Sequence, residues 1–247
     1  MNPKTLKRRG FVKICASAVA SVSASPGLLA STEQAINRYN RVKLVGLDDA
    51  PLTLGGLAVG ETYVFNYPYI TTPCFLLNLG KPAVDDRPLE TEAGEKYTWQ
   101  GGIGPGRSVV SFCAICAHKM SHPAKSVSFI NYRHEEVSFK DDQERTARRP
   151  QVIYCCSEKS VYDPAKGARV LGGPAPQPLT AILLEHDEED GAIYAAGTYG
   201  GEMYRKFFDT FAFRLALEHG TSDVQRKAAD FATVMTITQY TRTQMLC

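Results

Sequence analysis

Short apolar runs, separated by glycine and proline, dominate the chain between residues 42 and 200. Runs of this length and spacing are typical of β-strands joined by turns. The predicted strands include residues 63–65, 74–77, 108–112, 127–130 and 151–154, and residues 180–185 and 192–197 are predicted to pair as a hairpin. The polar stretch 81–107 and the charged stretch 141–149 are predicted loops. The pattern therefore predicts a mainly β protein with many short strands.

The last forty-odd residues follow a different pattern. Apolar side chains in Met203–His219 recur at helical spacing, and Gly220 is a typical helix stop. Residues 223–240 repeat the helical pattern more weakly. We therefore expect a helical C-terminal extension over residues 201–247, which is either a lid packed on the β body or a docking element for a partner subunit.

The N-terminus has the organisation of an export signal. Lysines and a pair of arginines, Arg8 and Arg9, precede a run of small and apolar residues that ends near Ala30. Paired arginines followed by Gly-Phe-Val-Lys are typical of the twin-arginine route, which carries folded proteins. Residues 1–30 are thus predicted to be a twin-arginine signal that is either cleaved or retained as a membrane anchor. Residues 31–40 are predicted to be a linker, and residues 41–200 the main domain.

The net charge of the chain argues against one class of partner, nucleic acid. Of the 28 basic residues, five lie in the first thirty, which leaves 23 against 26 acidic residues in the rest of the chain. A mildly acidic body gives no electrostatic reason to bind nucleic acid.

Four of the seven cysteines lie in two tight groups that follow predicted strands. The first group is Cys113-Ala-Ile-Cys116-Ala-His118 and continues to Pro123. The second is Cys155-Cys156-Ser-Glu158 and continues to Pro164. Two loops that present thiolates and an imidazole from one sheet can form a metal site. By spacing alone, a closed zinc site made of Cys116, His118, Cys155 and Cys156 or a disulfide pair also remains open.

These two loops resemble the cluster-binding loops of Rieske iron–sulfur proteins, which read Cys-x-His and Cys-x-x-His. Cys116 and His118 match the first pair, and Cys155 matches the second cysteine. The resemblance implies an antiparallel β-sandwich with an inserted cluster-binding subdomain, in which loops 113–123 and 155–176 hold a 2Fe-2S cluster. It also implies that Ser160 and Tyr162 donate hydrogen bonds to the cluster sulfurs, and that the proline-rich end of the second loop covers the cluster.

Other stretches extend the resemblance over roughly residues 1–200. Phe65-Asn-Tyr-Pro68, Pro73–Gly80 and Gly102–Val110 are similar to segments of the arsenite oxidase small subunit, an exported Rieske protein. The second loop is more similar to that of cytochrome bc complexes.

One position departs from the family pattern at the site itself: the second ligand histidine falls at Glu158. Glu158 is one candidate for the fourth ligand. Cys156 or Cys113 is a second, and a histidine from elsewhere, His122 or His134, is a third. Loss of the cluster is the fourth alternative. The two further cysteines that many members join as a loop–loop disulfide are Ser121 and Ser157 here.

The resemblance implies a periplasmic, non-catalytic subunit that carries one electron at a time. Its expected partners are a larger catalytic redox subunit or a quinol-oxidising complex, and a c-type cytochrome as acceptor. The metal ligands that it predicts are Cys116, His118, Cys155 and Glu158. The alternative function is a redox-silent subunit of the same fold, without a cluster or with a zinc ion in its place.

Overall fold

The computed structural model describes residues 36–247. The predicted signal or anchor at residues 1–30 and the first part of the predicted linker therefore lie outside the described residues. Within residues 36–247, none of the helices combines the length and the apolar character that a membrane span needs. Strand β1 begins at Ile36, where it pairs with Tyr199, so residues 36–40 belong to the sheet rather than to a linker.

The described chain is built mainly from strands, as the apolar pattern predicts. The sixteen strands are β1 (Ile36–Val45), β2 (Thr62–Asn66), β3 (Pro73–Asn78), β4 (Leu89–Glu90), β5 (Lys96–Tyr97), β6 (Val109–Cys113), β7 (Ile130–Arg133), β8 (Val137–Lys140), β9 (Thr146–Arg149), β10 (Val152–Cys155), β11 (Ser160–Asp163), β12 (Arg169–Gly172), β13 (Ala181–His186), β14 (Ile193–Tyr199), β15 (Phe231–Thr233) and β16 (Met235–Thr236). The helices are α1 (Tyr204–His219) and α2 (Ile237–Tyr240).

The largest sheet has eight strands in the order β15-β1-β14-β13-β6-β3-β2-β16. Its pairs are antiparallel except β1 with β15, which is parallel. The two edge strands are consecutive in the chain, separated by Val234 alone. The sheet must therefore curl until its edges meet, and β15 indeed lies beside β2.

Alternation along the strands places a core on each face of this sheet. Phe75 and Leu77 of β3 enter the first core, whereas Cys74 and Leu76 enter the second. The first core is completed by the cluster-loop sheet described next. The second core is covered by α1.

A four-stranded antiparallel sheet, β12-β11-β10-β7, carries the second cysteine group. Its residues Ile130, Ile153 and Tyr162 pack in the first core against Phe75 and Phe112 of the large sheet. The site is thus positioned between two sheets that share one hydrophobic core, which is the inserted arrangement that the sequence resemblance implies.

The long segment before β6 is fixed to this second sheet by a buried ion pair. Asp85 accepts hydrogen bonds from the Arg169 guanidinium at 2.9 and 3.1 Å, and its own loop supplies another from the Arg87 backbone N–H. Burial raises the pKa of the Asp85 carboxyl, but Arg169 and Arg87 outweigh it, so that the pKa lies below its ordinary value. The segment predicted as a loop is therefore held in place despite having only the short strands β4 and β5.

Two of the predicted elements differ in the structure. The charged stretch 141–149, predicted as a loop, supplies β9, which pairs with β8 as a hairpin. Val137 and Phe139 of β8 are buried in a small core with Val152, and Ala147 of β9, the register partner of Phe139, packs against it, so the buried β8 provides a partner for the charged stretch. The strand predicted at 127–130 begins at Ile130 instead.

The C-terminal extension is helical only in part. Helix α1 confirms the prediction for Met203–His219, and Gly220 ends it in the left-handed conformation with φ of 64°. The second predicted helix, residues 223–240, is wrong: Phe231 and Met235 lie in β15 and β16, and the only helical part of this range is the four-residue α2. Its threonine- and valine-rich centre favours strands once sheet edges are available to pair with it.

Candidate functional site

The two cysteine groups lie on loops whose ends are fixed by strands. The first begins where β6 ends at Cys113, and it is closed by hydrogen bonds between Cys116 N–H and Ser121 O and between Met120 N–H and Cys116 O. The second is the tight turn between β10 and β11, where Cys155 and Ser160 are register partners. Lys159, with φ of 62°, makes this turn possible by adopting the left-handed conformation.

Cys116 and Cys155, one from each loop, form a buried thiol pair. Both are fully buried, and each shifts the pKa of the other. The hydrogen bond from Cys155 lowers the pKa of Cys116 to about 6 against the opposing effect of burial, whereas the pKa of Cys155 rises. The pair therefore loses a first proton readily and holds the second more tightly.

Tyr162 and Ser160 surround Cys116 with hydroxyl groups. The Tyr162 hydroxyl lies 3.2 Å from Sγ of Cys116, and its oxygen accepts a hydrogen bond from the Ala117 N–H at 3.2 Å. The Tyr162 hydroxyl can therefore donate its proton in a hydrogen bond to the Cys116 sulfur. Ser160 is fully buried, and its hydroxyl also lowers the Cys116 pKa. The two predicted hydrogen-bond donors thus lie where a sulfur-bound cluster would need them.

His118 and Glu158 form a second pair at the outer end of the loops. Glu158 Oε2 lies 3.6 Å from His118 Nδ1, and Lys119 Nζ lies 3.5 Å from Glu158 Oε1. His118 Nδ1 is buried, and it has no hydrogen-bond partner within residues 36–247. A buried ring nitrogen without a partner is rare in proteins and is typical of an atom that binds something else.

The four predicted ligands are therefore arranged as two pairs. No group of three or more histidine, cysteine or acidic side chains converges on one point in the part of the chain that the structure describes. A closed zinc site needs four ligands around one ion. A Rieske cluster has two irons, and each takes only two protein ligands. Two ligands about 2.1 Å from one tetrahedral ion stand about 3.4 Å apart, close to the His118–Glu158 separation. Two pairs of side chains match the number of protein ligands that a two-iron cluster takes.

Cys156, predicted as an alternative ligand, is not available for a metal ion. It forms a disulfide with Cys247, 91 residues away in the chain. This correction also removes the zinc site of Cys116, His118, Cys155 and Cys156, since one of its four thiolates is oxidised. Cys247 had no assigned role in the sequence analysis, so this disulfide was not predicted.

Cys113 is likewise excluded as the fourth ligand. It is the register partner of Cys74 across β3 and β6, and both side chains belong to the second core, on the face opposite to Cys116. Both are buried free thiols. Alternation along β6 therefore turns Cys113 away from the site.

The two other histidines considered as ligands have different surroundings. His122 Nδ1 lies 2.8 Å from the Met120 carbonyl oxygen, and its ring packs edge-on against Phe207 and Phe211 of α1. Burial among these rings lowers the pKa of His122. His134 lies against Gly60 and 3.5 Å from the Tyr132 hydroxyl. The recorded contacts of His122 and His134 are thus with Met120, α1, Gly60 and Tyr132, although His122 Nε2, like His118 Nδ1, is buried without a hydrogen-bond partner within residues 36–247.

The glycine-rich end of the second loop covers the turn that bears Glu158. A Cβ atom on Gly173 would lie 2.3 Å from the Lys159 carbonyl oxygen, and the residue has φ of 82°. Only glycine allows this close approach. The segment 173–176 therefore packs directly on the turn, as the resemblance implies.

Comparisons with known proteins find two curated relatives and a solved structure that are similar to this chain. The chain is 26% identical over 196 residues to the iodate reductase subunit IdrB of Denitromonas iodatirespirans, which covers 79% of this chain and 82% of that protein. It is 27% identical over 198 residues to the subunit of the same name from a Pseudomonas strain, covering 79% and 80%. Among solved structures, the soluble domain of Rieske protein II (soxF) from Sulfolobus acidocaldarius aligns with a TM-score of 0.44 at 22% identity, covering 66% of this chain and 82% of that domain. No family model matches the chain.

Proposed function

We propose that this Rieske-type protein is the electron-transfer subunit of a larger oxidoreductase and that it carries a 2Fe-2S cluster between its two loops. The observation that carries the proposal is the arrangement of four side chains as one thiol pair and one histidine–carboxylate pair. When bound, the cluster supplies a centre that accepts and releases one electron at a time. In this proposal, the larger partner subunit carries out the catalysis.

In this proposal, Cys116 and Cys155 hold one iron, and His118 and Glu158 hold the other. The low pKa of Cys116 supplies one thiolate before a metal arrives. The proton on Cys155 leaves on binding, since thiolates are the ligand form. Tyr162 and Ser160 keep their hydroxyl groups toward the Cys116 sulfur, where hydrogen bonds stabilise the reduced, more negative state.

Glu158 would make this centre different from one with two imidazoles. A carboxylate is a hard, anionic ligand, and it favours the ferric state over the ferrous state. We therefore expect a lower reduction potential than a second histidine would give. Lys119, 3.5 Å from the same carboxylate, offsets a part of this negative charge.

The proposed location is the periplasm. The twin-arginine pattern at Arg8 and Arg9 supports export, and the Cys156–Cys247 disulfide is typical of proteins in an oxidising compartment. Whether residues 1–30 are removed or stay as an anchor is a separate question, which N-terminal sequencing of the exported protein answers.

The proposed partner is a larger catalytic redox subunit, since the relatives are subunits of iodate reductases. A c-type cytochrome or a quinol-oxidising complex is the proposed second partner, which exchanges electrons with the cluster. No nucleic acid is expected.

The decisive experiment is to purify the exported chain, assay iron and labile sulfide, and record the electron paramagnetic resonance spectrum after reduction. We expect two irons and two sulfides per chain, and a signal unlike that of a centre with two histidines. The matched variant Cys155→Ser should lose both the iron–sulfide content and the paramagnetic resonance signal. Folded protein without iron would overturn the proposal and favour a redox-silent subunit of the same fold.

A further inference from the structure

The C-terminal residues 241–247, here named the C-terminal strap, lie along the segment that joins the first cluster loop to β7. Arg242 N–H donates to the Lys125 carbonyl oxygen at 3.0 Å, Ser128 N–H donates to Thr243 O at 2.8 Å, and Met245 N–H donates to Ser128 O at 2.8 Å. The Asn131 side chain adds a bond to Met245 O at 3.0 Å. The strap is therefore a backbone-paired segment and not a loose tail.

The far end of the strap is joined to the second cluster loop. Cys247 forms its disulfide with Cys156, the residue directly after Cys155, and Cys247 N–H also lies 2.9 Å from Cys156 Sγ. Cys156 N–H in turn donates to Phe129 O at 2.7 Å. The strap thus runs from Lys125, two residues beyond the first loop, to the turn that carries Cys155 and Glu158.

This path connects the second cluster loop to the segment that directly follows the first, whereas many Rieske proteins join the two loops themselves by a disulfide. That bridge is missing here, because its two positions are Ser121 and Ser157. The strap makes the connection by a longer route, through the backbone of residues 242–247 and one disulfide.

We propose that the C-terminal strap, locked by the Cys156–Cys247 disulfide, is the clamp that fixes the second cluster loop against the first, which makes Cys247 a positioning residue for the metal centre. This inference rests on the proposed function for its effect on the cluster. Its effect on the loops themselves does not depend on the cluster.

The disulfide is the essential part of the clamp because the strap buries few apolar side chains near its end. Met245 and Leu246 are 44% and 58% exposed. Segments that are held by a few exposed hydrogen bonds open readily. Without the disulfide, residues 245–247 would leave Ser128 and Asn131, and the turn at residues 156–159 would lose its outer support.

The test compares the exported full chain with the double variant Cys156→Ser/Cys247→Ser, which leaves no unpaired thiol behind. Hydrogen exchange at the amides of Cys156 and Lys159 should become at least about tenfold faster in the variant. Iron release to a chelator should become severalfold faster, and the paramagnetic resonance lines should broaden as the ligand geometry becomes heterogeneous. Leu246→Ser is the matched control, since it changes an exposed strap residue and keeps the disulfide.

A second arm uses the unmodified protein. Treatment of the wild-type chain with dithiothreitol should reproduce the faster hydrogen exchange of the double variant. The same treatment should have no further effect on the double variant. This arm tests the clamp even if the double variant folds poorly. Unchanged exchange at residues 156 and 159 after the disulfide is cut would overturn the clamp. Faster exchange in protein that holds no iron would instead uphold the clamp and contradict the proposed cluster.

Discussion

Oε2 of Glu158 lies 3.6 Å from Nδ1 of His118, at the place where the Rieske pattern has its second histidine. The separation is too long for a hydrogen bond and suits two ligands of one metal ion. In the proposed centre, the carboxylate of Glu158 would therefore supply a charged donor atom where the Rieske pattern has a neutral imidazole.

Glu158→His should convert the centre to the usual Rieske form. A neutral imidazole in place of the carboxylate destabilises the ferric state, so we expect the reduction potential to rise by roughly 100 mV or more. The electron paramagnetic resonance spectrum should shift toward that of a centre with two nitrogen ligands. Protein-film voltammetry and nitrogen hyperfine couplings measure the two effects. Glu135→His, at an exposed glutamate, is the control, and an unchanged spectrum in Glu158→His would show that Glu158 does not bind iron.

Tyr162→Phe should lower the reduction potential while leaving the cluster in place. The lost hydroxyl lies 3.2 Å from Cys116 Sγ, and a hydrogen bond to a ligand sulfur stabilises the reduced state. We expect the reduction potential to fall by roughly some tens of mV, the effect of losing one hydrogen bond to a ligand sulfur. Tyr132→Phe, on β7 in the same sheet, removes a hydroxyl that faces His134 and should leave the potential unchanged. Equal potentials for the two variants would contradict the role given to Tyr162.

Asp85→Asn should destabilise the fold at neutral pH by about 2 kcal/mol, since it removes a charged hydrogen-bond acceptor buried against Arg169. The folded state lowers the pKa of Asp85, so this stabilisation is complete above the ordinary value of 3.8 and is lost as the pH falls through the lowered folded pKa. Urea unfolding at a series of pH values measures it. The difference in unfolding free energy between wild type and Asp85→Asn should begin to shrink at about pH 3.8 and disappear at lower pH. The control Asp86→Asn, at an exposed position, should have the unfolding free energy of the wild type throughout the pH series.

Leu215→Ala should cost about 2–5 kcal/mol of unfolding free energy, because Leu215 is 1% exposed and packs in the second core. Leu217→Ala, two residues along the same helix and 71% exposed, should change it by less than about 0.5 kcal/mol. Denaturant unfolding compares the two variants directly. If both variants lose a similar amount of unfolding free energy, α1 does not pack on the large sheet through the face that carries Leu215.

The sequence predicted α1 as either a lid or a docking element, and the lid is confirmed by the buried Phe207, Phe208 and Leu215. Docking remains a prediction. Phe213 is 80% exposed on the outer face of the same helix, so that face is free to meet a partner.

The sequence predicted the two loops and the strands that hold them because that information is local. Cys116, His118 and Ser160 lie within short motifs, and the strands on either side follow from apolar runs of four or five residues. The hairpin of β13 and β14 was also predictable, since its two runs are separated by a polar turn.

The features that the sequence did not reveal depend on contacts between distant residues. The sequence near Cys156 does not indicate which cysteine it pairs with. Cys74, Cys113 and Cys247 were all possible partners, and only the fold selects Cys247. The strands β15 and β16 form where β1 and β2 offer edges, and this cannot be inferred from residues 231–236 themselves. In both cases the fold as a whole overrides the local pattern.

The position of β15 and β16 has a consequence for solubility. A sheet edge exposes unpaired backbone groups that can recruit strands from other molecules, and short edge strands limit this danger. Here one short segment, Phe231–Thr236, covers both edges of the eight-stranded sheet. A chain cut before Phe231 would uncover β1 and β2 together, and these longer strands would be open to strand-to-strand aggregation. The C-terminal segment thus protects the protein from self-association at two places that are far apart in the strand order.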